Sequence, residues 1–131
     1  AMWAEDAASQ ELGMAIEAVG PGTATLSMAV TAAMVNGHGL CHGGFIFTLA
    51  DSAFAFACNS RNHRAVAAQC AITYLRPARL HDRLTAAAAE RSVAGRQGIT
   101  DVTVSTADGT VIAEFRGHSR TLGTRFFEDA P

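Results

Sequence analysis

A single charged side chain, Asp51, interrupts an otherwise apolar run from Gly43 to Cys58 (GGFIFTLADSAFAFAC), and a pair of glycines, Gly43 and Gly44, opens that run. Both features carry chemistry suited to acyl transfer. The first amide N–H groups of a helix have no partner inside it and lie at the positive end of its dipole. Glycine lets a ligand approach those groups closely, which is the geometry of an oxyanion hole; taken alone, the two glycines favour a tight turn. Asp51 would act as a general base on water or as a nucleophile on a carbonyl. As a purely structural carboxylate it would instead bond a backbone N–H or an Arg. Buried carboxylates are rare and costly unless paired or functional, which weighs toward function.

Spacing constrains how the two features work together. Eight residues of helix span about 12 Å, whereas an oxyanion donor and an attacking group must lie within roughly 3 Å of neighbouring atoms of one reacting carbonyl. Gly43 and Asp51 of one chain therefore cannot serve the same carbonyl. Two such helices lying antiparallel across a two-fold axis would bring Gly43 of one chain to Asp51 of the other. In the preceding loop, His42 would polarise a carbonyl or bond a thioester sulfur, or else cap the loop. Asn36 would orient water or close the loop as an Asx turn, the structural role being favoured. His38, Cys41 and His42 invite a metal reading, which is disfavoured because the glycines break helical register and no fourth ligand has sensible spacing. No G-x-S-x-G elbow or Walker A loop is present. Ser52 is expected to be a plain helix-face residue. Cys41, Cys58 and Cys70 are expected to be non-catalytic, since none pairs with a base at recognisable spacing.

The elements that hold these residues follow from periodicity. Gly43 to Cys58 is apolar around its whole axis, with Phe45, Ile46, Phe47, Leu49, Phe54 and Phe56 on different sides, so it predicts a buried helix of about four turns. Leu12 to Val19 and Thr23 to Val30 alternate apolar and polar residues about Gly20, Pro21 and Gly22, predicting a hairpin. Strands are predicted at Val66 to Leu75, Leu84 to Ser92, Gly98 to Thr106 and Thr110 to Gly117, with a short helix at Trp3 to Gln10 and a loose tail from Thr121. One long helix covered by an antiparallel sheet satisfies this α+β pattern. A single sheet covers only one side of such a helix, so a second subunit is expected against the other side.

Totals set the remaining bounds. The chain has 131 residues, enough for one domain with a real core. Hydrophobic residues make up 49% and the mean hydropathy is +0.15, which excludes a disordered chain. A net charge of −2 excludes a strongly basic nucleic-acid binder. All ten basic residues are Arg. The cysteines are odd in number and scattered, which fits free thiols in a reducing cytoplasm. No signal peptide or membrane-spanning run is evident.

The stretch Asn36 to Ser60 (NGHGLCHGGFIFTLADSAFAFACNS), with Cys70 to Ala78 (CAITYLRPA) and Phe115 to Ser119 (FRGHS), resembles the hotdog-fold thioesterases of the phenylacetate degradation pathway, the PaaI type. The resemblance runs from Leu12 to Thr121, and the placing of His-Gly-Gly before Asp51 is specific. It implies a single hotdog domain over 1–131, in which a six-stranded antiparallel sheet wraps a long helix and dimers pair into homotetramers. It implies hydrolysis of acyl-CoA thioesters, with aryl-acetyl-CoA and its hydroxylated forms favoured, and no cofactor. The family's catalytic aspartate falls on Asp51, its oxyanion glycine on Gly43, and its neighbouring histidine and asparagine on His42 and Asn36. A CoA substrate calls for positive charge at its phosphates, for which Arg61, Arg64, Arg76 and Arg79 are candidates, a solvated surface role being favoured for any one of them. Phe47, Phe54 and Tyr74 are candidates for an aryl pocket, each with a core role as the alternative. A hotdog hydratase is disfavoured, because no Asp-x4-His pair is found. The rival reading from another class is a non-catalytic acyl-CoA binding or sensing module, which would not need Asp51.

Overall fold

The computed structural model describes residues 2–126. Two short helices, α1 (Met2–Glu5) and α2 (Ala7–Glu11), lead into a hairpin of β1 (Ala15–Gly20) and β2 (Thr23–Ala29). A 3-10 turn at Ala32–Met34 and a loop precede helix α3 (Gly43–Cys58), which matches the predicted bounds. Four strands follow: β3 (Ala65–Tyr74), β4 (Arg83–Ala94), β5 (Gln97–Thr106) and β6 (Val111–Thr121). They form one six-stranded sheet in the order β1-β2-β4-β5-β6-β3, every neighbouring pair antiparallel. The sheet wraps α3, as the hotdog fold requires.

Small side chains let the helix sit close to the sheet. Ala50, Ala53 and Ala57 on α3 and Ala86 and Ala88 on β4 are all buried where the helix packs on this strand. Alanine has weak strand propensity, yet β4 runs for 12 residues because it is bonded on both sides, to β2 and β5. Gly117 of β6 marks the tightest approach. A Cβ there would stand 2.6–2.7 Å from three atoms of the Phe54 ring. Larger residues, among them Leu26, Met28, Leu49, Leu84 and Ile112, fill the rest of the core.

Four expectations need correction. The helix expected over Trp3 to Gln10 is broken at Asp6, whose carboxylate caps α2 by accepting from the Ser9 amide at 3.0 Å; a capping Asp competes with helix continuation. Leu12 ends α2 and Gly13 turns at φ 74°, so β1 begins at Ala15 instead of Leu12. Strand β6 continues past Gly117 to Thr121, since β5 and β3 flank it to Arg120 and Thr121. Residues 122–126 are not loose: Leu122 N–H donates to Arg64 O at 2.7 Å and Arg64 N–H to Thr124 O at 2.9 Å. The remainder of the expected tail lies outside the described residues.

The side of α3 away from the sheet is only partly covered. Trp3 packs on Phe56 with ring centroids 6.1 Å apart, and Ser9 Oγ lies 2.8 Å from Ser52 Oγ. The N-terminal helices thus take part of the face that the sequence had left entirely to a second subunit. A stripe remains half-exposed: Phe47, Thr48, Asp51 and Ala55, at the three- and four-residue steps of one helix face. Edge strand β3 runs beside it and is mostly exposed, with Val66 at 47%.

Candidate active site

The start of α3 is shaped by its flanking loop. His42 N–H donates to Met34 O at 2.8 Å, and Cys41 N–H to Ala78 O at 2.8 Å. These bonds tie the residues just before the helix to the 3-10 turn and to the segment that follows β3. His42 is the N-cap residue with extended backbone, and its side chain makes no capping bond. Phe45 N–H turns back to His42 O at 3.1 Å. The amides of Gly43 and Gly44 find no acceptor among the described residues, so two N–H donors project from a positive helix end. Tyr74 covers one side of this opening, its hydroxyl donating to Gly43 O at 2.8 Å. The adjoining recess, of about 470 Å³, is lined by Cys41, Gly43, Ile46, Tyr74, Arg76 and Ala78, among others.

Asp51 lies two turns further along α3 and opens into a different recess, of about 370 Å³, beside Phe54, Cys58, Arg64, Val66 and Ala67. Burial pushes its carboxyl pKa above the ordinary value, and the negative charge of Asp6 adds to the rise. No Arg is paired with it among the described residues. Its near neighbour is the Cys70 thiol, Sγ 4.0 Å from Asp51 Oδ1. Burial and the Asp51 charge both raise the Cys70 pKa, so this thiol stays protonated beside the carboxylate. Burial likewise raises Cys41, and Cys58 is pushed up to about 12, which leaves all three thiols poor nucleophiles at neutral pH.

The other candidate residues separate by place. Asn36 closes its loop: Oδ1 accepts from His38 N–H at 2.9 Å and Leu40 N–H at 3.1 Å, the Asx role favoured from sequence. His42 is exposed next to the Gly43 opening. Arg76 and Arg79 lie at the helix start, and Arg76 donates to Val111 O at 2.8 Å. Arg61 and Arg64 lie at the far end of α3; Arg61 is 3.3 Å from Glu90, and the Arg64 guanidinium stacks 4.3 Å from the Phe126 ring. The four arginines therefore form two separate pairs in one chain. Phe54 is 1% exposed and belongs to the core, packing on Phe115. Phe47 is half-buried on the uncovered stripe, its ring edge-on to Phe115 at 5.4 Å. Tyr74 stands at the helix start, away from the Asp51 recess.

Ser52 is more than a helix-face residue. It is buried and joins a chain in which Ser9 Oγ donates to Asp6 Oδ2 at 2.7 Å and meets Ser52 Oγ at 2.8 Å. This chain ties α2 to the turn that carries Asp51. The sequence signal was the run from Asp6 to Ser9, an N-cap residue followed three positions later by a hydroxyl. The tertiary contact to Ser52 has no local signature.

The site and the fold together define a class. The model of the thioesterase superfamily matches residues 38–113, more than half of the chain, and the protein belongs to that superfamily. Within it, the chain is 44% identical to acyl-coenzyme A thioesterase PaaI of Escherichia coli over 123 residues, 94% of this chain and 88% of that protein. The structure of the E. coli PaaI protein from the phenylacetic acid degradation operon matches with a TM-score of 0.93 at 43% identity, covering 95% of this chain and 90% of that one. A mutant of the phenylacetic acid degradation protein PaaI from Thermus thermophilus matches at 0.83 with 37% identity, covering 87% and 97%. A Streptococcus mutans protein solved with acetyl CoA matches at 0.82 with 26% identity, covering 86% and 90%.

Proposed function

We propose that this protein is an acyl-CoA thioesterase that hydrolyses aryl-acetyl-CoA, phenylacetyl-CoA or its hydroxylated forms, to the free acid and CoA, with each active site formed between two chains. The observation that carries the reading is the division of one helix into two half-sites. Unpartnered amides stand at its start and a carboxylate of raised pKa stands about 12 Å along it. Neither half is sufficient for acyl transfer. The half-exposed stripe of α3 and the exposed edge of β3 lie side by side, and a two-fold partner placed on them would bring the halves together. It would also bring Arg64 of one chain toward Arg76 of the other, gathering positive charge for the CoA phosphates. Dimers pairing into a tetramer complete the proposed assembly. Likeness to E. coli PaaI supports the acyl-CoA substrate class and the aryl-acetyl preference. Three unpaired cysteines support a reducing, cytoplasmic setting. Among the described residues no helix is long and apolar enough to cross a membrane.

In the proposed reaction Asp51 takes a proton from water, and the water oxygen bonds to the thioester carbonyl carbon. The carbonyl oxygen becomes an oxyanion held by the Gly43 and Gly44 amides of the facing chain. The C–S bond then breaks, and the CoA sulfur leaves with the proton that Asp51 held. Desolvation suits Asp51 to this work, because a carboxylate of raised pKa is a stronger base. Purified protein incubated with a panel of aryl and aliphatic acyl-CoAs and a thiol reagent tests the assignment. The expected result is release of CoA, fastest with aryl-acetyl substrates. Tight binding without turnover would replace the enzyme with a sensing module, and faster turnover of long aliphatic chains would overturn the substrate class.

A further inference from the structure

We propose that Tyr74 is a positioning residue for the oxyanion donor: its hydroxyl clamps the Gly43–Gly44 peptide so that the Gly44 N–H points out of the helix start. The inference rests on the reading of that helix start as the oxyanion site. Tyr74 ends β3, and its Oη donates to Gly43 O at 2.8 Å. The ring lies directly on the Gly43 α-carbon, since a Cβ there would stand 2.7 Å from Cζ, 2.9 Å from Oη and 3.1 Å from Cε1. Glycine at position 43 is therefore the seat of this ring as well as the start of the helix. No comparable constraint acts at Gly44, where a Cβ would meet nothing within 4 Å.

Satisfying the Gly43 carbonyl does not require a tyrosine. As the first helical residue its carbonyl already faces the amide four residues on. What the extra bond changes is the other end of the same peptide. A peptide unit is planar and rigid, so fixing the Gly43 oxygen fixes the direction of the Gly44 N–H. A donor on the carbonyl also polarises the amide, strengthening its N–H as a donor. Two consecutive glycines make this the loosest possible helix start, and His42 supplies no side-chain cap. Tyr74 provides the order that the cap does not. Burial raises the phenol pKa above its usual value, so the hydroxyl remains a donor through neutral pH.

The conservative change Tyr74→Phe tests this, since it keeps the ring on Gly43 and removes only the hydroxyl. With the best acyl-CoA from the panel, kcat should fall about fivefold or more while KM stays within about twofold. An unchanged kcat in the folded variant would overturn the proposal, and so would a raised KM at unchanged kcat, which would make Tyr74 a substrate-binding side chain. Gly44→Pro separates this failure from failure of the underlying reading. It deletes the amide hydrogen that Tyr74 aims, in the first helical turn, where Pro is tolerated and a Cβ meets nothing within 4 Å. If Gly44→Pro keeps full turnover, the Gly44 amide is not an oxyanion donor and the proposal falls with it. If Gly44→Pro is inactive while Tyr74→Phe is normal, only the positioning role falls.

Discussion

Replacing Gly117 by Ala places a methyl group where β6 and α3 approach most closely. The new Cβ would stand 2.6 Å from Phe54 Cε1 and 2.7 Å from both Cδ1 and Cζ. Ordinary carbon contacts begin near 3.5 Å, so a gap of roughly 1 Å must open. Phe54 has little room to give, being 1% exposed with Phe115 at 5.7 Å. Overpacking of this kind costs about 1–3 kcal/mol. The substitution recovers about 0.5–1 kcal/mol by reducing the backbone freedom of the unfolded chain. A net loss of about 1–2 kcal/mol is expected. Urea unfolding at fixed protein concentration should show a lower midpoint at unchanged slope. A double change, Gly117→Ala with Phe54→Leu, should be more stable than the two single losses added together, by at least about 1 kcal/mol. Unchanged stability in Gly117→Ala, or strict additivity with Phe54→Leu, would refute the reasoning that glycine at this position sets the height of the helix above the sheet.

Asp51→Asn keeps the shape of the site and removes its base, so kcat should fall by at least about a hundredfold with substrate binding largely retained; near-normal turnover in the folded variant would remove Asp51 from the mechanism. The same variant should be more stable than wild type at pH 7. A raised carboxyl pKa means stability that is present below the ordinary carboxylate value and lost as pH rises through the raised one, so thermal unfolding should show the gain at neutral pH and not in acid. Changing Cys41, Cys58 and Cys70 together to Ser or Ala should leave kcat intact in the folded protein, whereas loss of activity on changing Cys41 alone would point to a thiol nucleophile. Thr100→Val removes a fully buried hydroxyl that has no hydrogen-bond partner among the described residues, so urea unfolding should show stability unchanged or raised by about 1 kcal/mol; a clear loss would mean that the hydroxyl is paired.

The central helix was legible because its signal is local: an apolar run without internal Gly or Pro, opened by glycines and stopped after Cys58. The hairpin strands and β5 were legible through their alternation, although the strand ends were not. The end of β6 depends on partners that continue to Thr121, and the start of β1 on the left-handed turn at Gly13. At the site, the positions of Gly43 and Asp51 along one helix followed directly from spacing. The seating of Tyr74 on Gly43 did not, because the two residues are 31 positions apart and meet only when β3 passes the helix start. Ser9 and Ser52 are 43 positions apart and carry no shared pattern. Long-range polar contacts of this sort are set by tertiary packing, and periodicity does not encode them.

The shared active site is tested most directly by mixing two inactive chains. One carries Asp51→Ala, which removes the carboxylate. The other carries Gly43→Pro, which removes an N–H at a position where Pro suits the first turn. The ring of Tyr74 must swing aside in this second chain, and its 47% exposure leaves it room to do so. Each homodimer should be nearly inactive. Co-expression with two different tags isolates the mixed dimer, in which one site holds both lesions and the other holds neither. That dimer should recover roughly half the wild-type activity, since one of two equivalent sites is whole. If Gly43 and Asp51 instead serve a site within one chain, every site in the mixed dimer keeps one lesion. A folded mixed dimer that remains inactive, from parents that also fold, would contradict the account.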